Sequence, residues 1–231
     1  MIRAIVFDFN GTMFMDTDKH RASWEELFLH EHGPRVEDDE FRAYMCGPPN
    51  TDIIRRYLGA DLSDERVAQL AEEKERVYRR LCLEDEEHLR LVEGLDALLD
   101  RLAAARVPMT IATGAGADNL AFYFEVFNLD RWFARNKVVY SDGMLPGKPH
   151  PQVYLRAFEL LGVPARDCMV VEDAFSGIQA ARAAGAGQIV AIATYNAPEV
   201  LARQEGVTCV IDDFRGFERH TGFALPVQST L

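Results

Sequence analysis

The alternation of short apolar runs with helical segments constrains the fold of this chain more than any other feature. Each run ends in polar residues or glycine, as where Phe7 is followed by Asp8 and, shortly after, by Gly11. Runs of this kind suit the strands of a parallel sheet, because such strands are buried on both faces by helices. The runs lie at residues 5–7, 108–112, 138–140, 169–171, 189–192 and 209–211. The pattern predicts an α/β fold with a doubly wound, Rossmann-like parallel sheet.

The region between the first and the second apolar run has no strand pattern and predicts helices instead. The predicted helices span residues 16–32, 51–58 and 63–83. The simplest topology that accommodates them is an insertion directly after the first strand. We therefore predict an all-helical cap at residues 16–89, inserted into an α/β core made of residues 1–15 and 90–231.

The charge and the composition exclude several classes of function. The formal charge is -12 at pH 7 and the pI is near 5.0, whereas partners such as nucleic acid or an anionic membrane need a basic face. No apolar run reaches the roughly 20 residues of a membrane span, and the first run stops too early for a signal peptide. The 4 cysteines have no CxxC spacing, which argues against a zinc site or a disulfide framework and predicts reduced core thiols of a cytoplasmic protein.

Acidic residues follow two of the predicted strands at the point where each strand ends. Asp8 follows the first run, and Glu172 and Asp173 follow the run at 169–171. The carboxyl ends of parallel strands meet at one edge of the sheet, which is where open α/β sheets bind ligands. Mg²⁺ takes hard oxygen ligands of this kind, together with waters and a substrate phosphate oxygen. These three carboxylates predict a metal site, which a backbone carbonyl at Asn10 would complete.

A second group of residues has the chemistry to hold a phosphate. Thr113 ends the second predicted strand, and the N–H groups of Gly114 and Ala115 are expected at the start of a helix, where the helix dipole favours anions. Lys148 adds a positive charge. Beside these groups Asp8 is predicted to be a nucleophile that forms an aspartyl-phosphate, because the metal and Lys148 offset the repulsion between the two anions.

Four short motifs carry a resemblance to a known superfamily. They are Asp8-Phe9-Asn10-Gly11-Thr12, Thr113, Gly147-Lys148-Pro149-His150-Pro151 and Val171-Glu172-Asp173-Ala174-Phe175-Ser176-Gly177-Ile178. In this order they resemble the haloacid dehalogenase (HAD) superfamily, in the branch of β-phosphoglucomutase and phosphoglycolate phosphatase, which has a helical cap after the first motif. The resemblance implies a Mg²⁺-dependent phosphatase, a phosphoric monoester hydrolase, that acts on a small phosphorylated metabolite.

One position departs from the pattern of that superfamily. Its phosphatases carry a second aspartate two residues after the nucleophile, which acts as general acid and base, and here that residue is Asn10. An amide has no proton to exchange at neutral pH, and the loss of such a group typically lowers the rate by about 10² to 10⁴. Three explanations are open: a phosphatase of low activity, an enzyme in which another group such as His20 transfers the proton, or a reaction that needs no acid.

The same departure keeps other functions in view. The resemblance implies that His20, in the predicted cap, contacts the substrate. The alternative is that His20 is a surface histidine of an amphipathic helix. A sugar phosphomutase is the nearest alternative enzyme, although Cys46 and Asn50 replace the basic residues of the mutase pattern. A dehalogenase also uses an aspartate nucleophile without a second acid. A protein that binds Mg²⁺ and a phosphorylated metabolite without turnover is the alternative outside enzymes.

Overall fold

The computed structural model of the chain describes residues 1–226, which form two compact units. The helical unit comprises residues 16–89, and the α/β unit comprises residues 1–15 together with residues 90–226. None of the helices in residues 1–226 combines the length and the apolar character that crossing a bilayer requires.

The helical unit packs its helices around a small apolar core. Its helices are α1 (Thr17–His30), α2 (Asp38–Tyr44), α3 (Asn50–Leu58) and α4 (Asp64–Glu84). Trp24 and Leu27 of α1 and Leu70 of α4 are buried in this core. The short helix α2 lacks a strong sequence pattern, because three of its first residues are acidic and only Phe41 is buried.

The α/β unit is a parallel sheet with helices on both faces, as the sequence predicts. Its strands are β1 (Ala4–Phe7), β2 (Met109–Gly116), β3 (Val139–Ser141), β4 (Cys168–Glu172), β5 (Gln188–Ile192) and β6 (Val207–Ile211). Its helices are α5 (Leu95–Ala104), α6 (Ala117–Val126), α7 (Gln152–Leu161), α8 (Phe175–Ala183), α9 (Pro198–Leu201) and α10 (Phe217–Thr221). The strand order is β3-β2-β1-β4-β5-β6, which confirms the doubly wound, Rossmann-like fold.

The first strand lies in the middle of the sheet and is buried on both faces. Ile5 pairs with Met109 of β2 on one side and with Met169 of β4 on the other. On one face Val6 belongs to a core that includes residues of α7 and α8, and on the other face Phe7 contacts Phe214. The strand order reverses between β1 and β4, and the crevice at such a reversal is where doubly wound sheets bind ligands.

Two sequence predictions are corrected by the structure. Gly114 and Ala115 are not at the start of a helix: they belong to β2, which continues to Gly116, and α6 begins only at Ala117. The strand continues past Thr113 because its pairing with β3 resumes at Gly116 after a shift in register. The cysteines are not all core residues, since Cys82 and Cys168 are buried but Cys46 and Cys209 are half-buried.

Candidate active site

Three carboxylates meet at the carboxyl ends of β1 and β4. Asp8 directly follows β1, Glu172 ends β4 and Asp173 follows it, and the peptide N–H of Asp8 donates to the carbonyl of Val171 at 3.0 Å. One oxygen from each carboxylate lies within 4.8 Å of those of the others, and all three residues are buried. The structure therefore brings together the three acidic side chains that the sequence singles out.

Glu172 is held by hydrogen bonds to both of its carboxylate oxygens. Its Oε1 accepts from Lys148 Nζ at 2.6 Å and from the hydroxyl of Tyr154 at 2.7 Å. Its Oε2 accepts from the peptide N–H groups of Asp173 and Ala174, each at 2.9 Å. Charge-assisted hydrogen bonds of this kind are stronger than neutral ones, so the side chain has one well-defined position.

A glycine of α8 makes room for this carboxylate. A Cβ atom at Gly177 would lie 1.6 Å from Oε1 of Glu172, far inside van der Waals contact. The first turn of the helix can approach the acidic residue only because this position has no side chain. This explains why a glycine is needed in the fourth motif.

Lys148 joins Asp8 to Glu172 through two buried ion pairs. Its Nζ lies 2.5 Å from Oδ1 of Asp8, in addition to its contact with Glu172. Burial acts to lower the pKa of Lys148, but the attraction of the two carboxylates outweighs it and holds that pKa above its ordinary value. Lys148 is therefore a cation at neutral pH.

Asp8 has a perturbed acidity. Burial raises its pKa to about 7, although the attraction of Lys148 opposes the shift and the repulsion of Glu172 adds to it. Withdrawal of a carboxylate from water disfavours its charged form, which is the dominant cause here. Perturbed carboxyl groups in a crevice are common at active sites, so a cation at this site would stabilise the charged form of Asp8.

The turn after β1 packs tightly against Asp173. A Cβ atom at Gly11 would lie 2.2 Å from Oδ2 of Asp173, and the φ angle of Gly11 is +76°, a conformation that glycine adopts without strain. Thr12 donates a hydrogen bond from Oγ1 to Oδ1 of Asp173 at 3.2 Å, and Asn196 donates to its carbonyl at 3.2 Å. The bond from Thr12 holds the carboxylate of Asp173, and the bond from Asn196 holds the backbone of the same residue.

The donor set at this edge of the sheet fits a small divalent cation. Asp8, Glu172 and Asp173 supply buried carboxylate oxygens, and Mg²⁺ prefers such ligands to nitrogen or sulfur. Ser176 Oγ is buried without a hydrogen-bond partner among the residues that the structure describes. A cation with its water ligands would satisfy both the unpaired hydroxyl and the surplus negative charge.

Asn10 lies beside the predicted phosphate-binding residue Thr113. The hydroxyl of Thr113 donates to Oδ1 of Asn10 at 3.2 Å and accepts from the peptide N–H of Ala115 at 3.1 Å. The amide group Nδ2 of Asn10 donates to the hydroxyl of Tyr123 at 2.7 Å. The N–H of Ala115 is thus hydrogen-bonded to Thr113. It lies at the end of a strand and not, as expected, at the start of a helix.

The remaining predicted residue, His20, lies in the helical unit within a cluster of polar side chains. Its Nδ1 is 2.7 Å from Lys74 Nζ, and its ring stacks on Tyr78 at 4.0 Å with an interplanar angle of 8°. The hydroxyl of Tyr78 donates to Oδ2 of Asp16 at 2.5 Å. Burial lowers the pKa of Lys74, although Glu75 opposes the shift. His20 is therefore part of a built cluster and not an isolated surface histidine.

Comparison with known proteins identifies the family. The family model described as haloacid dehalogenase-like hydrolase matches residues 2–185. The chain belongs to this family. The fold of this HAD protein is similar to the crystal structure of a HAD hydrolase, family IA, variant 3, from Entamoeba histolytica, with a TM-score of 0.85 and 33% identity over 93% of this chain and 95% of that chain.

Curated relatives of this HAD protein include phosphatases and a mutase. It is 30% identical to the fructose-1-phosphate phosphatase YqaB of Escherichia coli, over 78% of this chain and 92% of the relative. It is 25% identical to the β-phosphoglucomutase of Mycobacterium bovis, over 92% and 90% of the two chains. These matches confirm the predicted superfamily and branch, and they support the predicted class of enzyme, a HAD-like phosphatase.

Several residues of the site are not among those singled out from the sequence. Tyr154 holds Glu172 and Tyr123 holds Asn10, but both lie on helices at positions that look like ordinary core residues. Thr12 is the last residue of the first motif, directly after Gly11, so the sequence could have indicated that it belongs to the site. No sequence signal distinguishes the two tyrosines, because their partners come from distant strands.

Proposed function

We propose that this HAD protein is a Mg²⁺-dependent phosphohydrolase that acts on a small phosphomonoester through an aspartyl-phosphate at Asp8. The observation that carries the proposal is the buried cluster in which Lys148 bridges Asp8 and Glu172 beside Asp173. A nucleophilic carboxylate next to a fixed cation and further acidic ligands suits phosphoryl transfer, in which opposing negative charges must be brought together.

The reaction would proceed in two displacements at phosphorus. An Oδ atom of Asp8 attacks the phosphorus, and the bond to the leaving oxygen breaks, so that this oxygen takes the bonding electrons and a proton from water. A water molecule then attacks the phosphorus, the bond to Asp8 breaks, and the proton lost by this water neutralises the hydroxide left by the first displacement, which releases phosphate and restores the carboxylate. Mg²⁺, held by Asp8, Glu172, Asp173 and the carbonyl of Asn10, would neutralise negative charge on the phosphoryl group.

Within this scheme Lys148 and Thr113 have binding roles. The ammonium of Lys148 would balance charge on the phosphate, and it already lies against the nucleophile at 2.5 Å. The hydroxyl of Thr113 and the N–H groups of Gly114 and Ala115 would contact phosphate oxygens, for which Thr113 and Ala115 must exchange their present hydrogen bonds.

Asn10 is proposed to keep the rate low. Its amide can orient a leaving group but cannot transfer a proton to it. Without a general acid the leaving oxygen must take its proton from water, which lowers the rate by about 10² to 10⁴ relative to a site whose aspartate is free to transfer the proton. The best substrates would then be esters whose leaving alcohol is acidic.

A phosphorylated sugar is the proposed class of substrate. Support comes from the relative that is named a fructose-1-phosphate phosphatase and is 30% identical. The helical unit is proposed to act as the cap that selects the substrate, with His20 as one of its contacts. The predicted cytoplasmic location stays a prediction.

The test is an assay of phosphate release from a panel of sugar phosphates with Mg²⁺. We expect turnover that is lost on chelation of the metal and abolished in Asp8→Asn, because the amide is not a nucleophile. The matched control is Asp96→Asn on the exposed face of α5, which should retain full activity. Turnover that survives in Asp8→Asn would refute the assignment of the nucleophile.

A sugar phosphomutase is the second candidate, because one relative is named a β-phosphoglucomutase. The two reactions are separated by their products, since a hydrolase releases inorganic phosphate and a mutase forms an isomeric sugar phosphate. Binding of Mg²⁺ and phosphate without any turnover would favour a binding protein. Halide release without added metal would favour a dehalogenase.

A further inference from the structure

The side chain of Asn10 is held between two hydroxyl groups, and the chemistry of both contacts suits an amide. Thr113 accepts the N–H of Ala115 and gives its own proton to Oδ1 of Asn10, at 3.2 Å. The opposite end of the amide, Nδ2, donates to the hydroxyl of Tyr123 at 2.7 Å. An amide can accept at one end and donate at the other, whereas a carboxylate can only accept.

Tyr123 is well suited to fix this side chain because its own ring cannot move easily. The residue lies on α6, is fully buried and stacks on Phe9 with ring centroids 4.1 Å apart and an interplanar angle of 18°. Phe9 directly precedes Asn10 in the turn that follows β1. Stacking on Phe9 thus fixes the ring of Tyr123, and the hydroxyl of that ring reaches the side chain of the next residue, Asn10.

We propose that Tyr123 is a positioning residue that fixes the side chain at position 10 against Thr113. The kinetic consequence rests on the proposed phosphatase function, whereas the position of the amide does not. A carboxylate introduced at position 10 would accept a hydrogen bond from the hydroxyl of Tyr123 and be tethered by it, also when phosphate takes over the hydroxyl of Thr113. Substitution of Asn10 by aspartate is therefore insufficient by itself to supply a mobile general acid.

The test is a cycle of four proteins: the wild type, Asn10→Asp, Tyr123→Phe and the double variant. Tyr123→Phe alone should lower kcat about two- to tenfold, the effect of one lost hydrogen bond. Asn10→Asp alone should raise kcat by less than about tenfold, and the double variant should raise it by about 10² or more over the wild type. Removal of the hydroxyl thus slows the amide enzyme and speeds the carboxylate enzyme, a reversal that a merely structural role does not produce.

The kinetic cycle has a matched control and two outcomes that would overturn the proposal. Tyr140→Phe, on strand β3, should leave kcat unchanged in both backgrounds. The proposal is wrong if Tyr123→Phe changes kcat by the same factor with Asn10 and with aspartate. It is also wrong if Asn10→Asp alone gives the full gain.

Side-chain NMR tests the position of the amide independently of activity. In protein labelled with ¹⁵N-asparagine, the Asn10 side-chain signals are assigned by their loss in Asn10→Asp. These signals should shift in Tyr123→Phe and stay in place in Tyr140→Phe; an unchanged position in Tyr123→Phe would refute the contact. If none of the four proteins hydrolyses a phosphomonoester, the proposed function fails while this measurement still decides the positioning role. If Tyr123→Phe does not fold, the ¹³Cζ signal of Tyr123 is compared between the wild type and Asn10→Ala. The signal should shift, and an unchanged signal would overturn the proposal.

Discussion

Replacing Lys148 with methionine tests how strongly the buried charges of the site depend on one another. The ammonium lies 2.5 Å from Asp8 and 2.6 Å from Glu172, and no side chain of the three is more than 9% exposed. Removing one partner of a buried ion pair costs about 3 to 5 kcal/mol, because an uncompensated charge remains. We expect Lys148→Met to lower the free energy of unfolding of the metal-free α/β unit by about this amount near pH 8.

The loss should depend on pH in a direction set by Asp8. Burial raises the pKa of this carboxyl to about 7 in the presence of Lys148, and removal of the cation should raise it further. Below that pH Asp8 takes up a proton in the folded state, so less unpaired charge remains to be stabilised. Because Asp8 of the wild type is also protonated below about pH 7, the deficit in unfolding free energy should shrink as the pH falls toward about 7 and change little below it.

Urea unfolding and thermal melting measure this deficit. For a chain of this length, 3 to 5 kcal/mol corresponds to a fall in Tm of about 6 to 20 °C. The control is Lys137→Met at an exposed position, which should change stability by less than about 0.5 kcal/mol. A loss below about 1 kcal/mol for Lys148→Met, which is typical of exposed ion pairs, or a loss that does not vary with pH, would refute the reasoning.

Three other perturbations probe separate parts of the same site. Gly177→Ala should lower both Tm and activity, because its Cβ would lie 1.6 Å from Glu172. Gly114→Ala, whose Cβ meets nothing within 4 Å, is the stability control, and equal Tm values would contradict the close approach. Tyr154→Phe removes the 2.7 Å bond to Glu172 and should cost about 1.5 to 3 kcal/mol in urea; a smaller loss than about 0.5 kcal/mol would exclude a supporting role. Because the pKa of Asp8 is about 7, Mg²⁺ must displace a proton below that pH. Its Kd, measured by calorimetry, should therefore increase about tenfold for each unit by which the pH falls below 7, and should be constant above 7. An affinity that is independent of pH would exclude Asp8 as a ligand.

The sheet and its acidic edge could be predicted because both depend on local patterns. A buried parallel strand must be apolar along its length, so the point where Phe7 gives way to Asp8 marks the edge where ligands bind. The same reasoning places Glu172 and Asp173 at that edge, and the structure shows all three carboxylates within reach of one another.

The parts of the site that could not be predicted depend on packing between distant segments. Tyr123 and Tyr154 are fully buried, and the partner of a buried tyrosine hydroxyl is set by how its helix lies on the sheet, which periodicity does not determine. Gly114 and Ala115 were placed wrongly because a Thr-Gly pair is typical both of a strand end and of a helix start. Pairing of Gly116 with Ser141 of β3 decides between the two, and that pairing is a property of the sheet.

The position of β1 in the sheet has a consequence for how the chain is made. This strand is synthesised before both of its partners, which are Met109–Ile111 on one side and Cys168–Val171 on the other. At about 5 to 20 residues per second, the second partner is complete only about 8 to 33 s after β1. The helical unit at residues 16–89 is contiguous, so its helices can assemble in that interval, whereas Ala4–Phe7 must wait as an unpaired apolar segment. Of the six strands, the one that leads into the proposed nucleophile therefore waits longest for its partners during synthesis, which exposes it to aggregation.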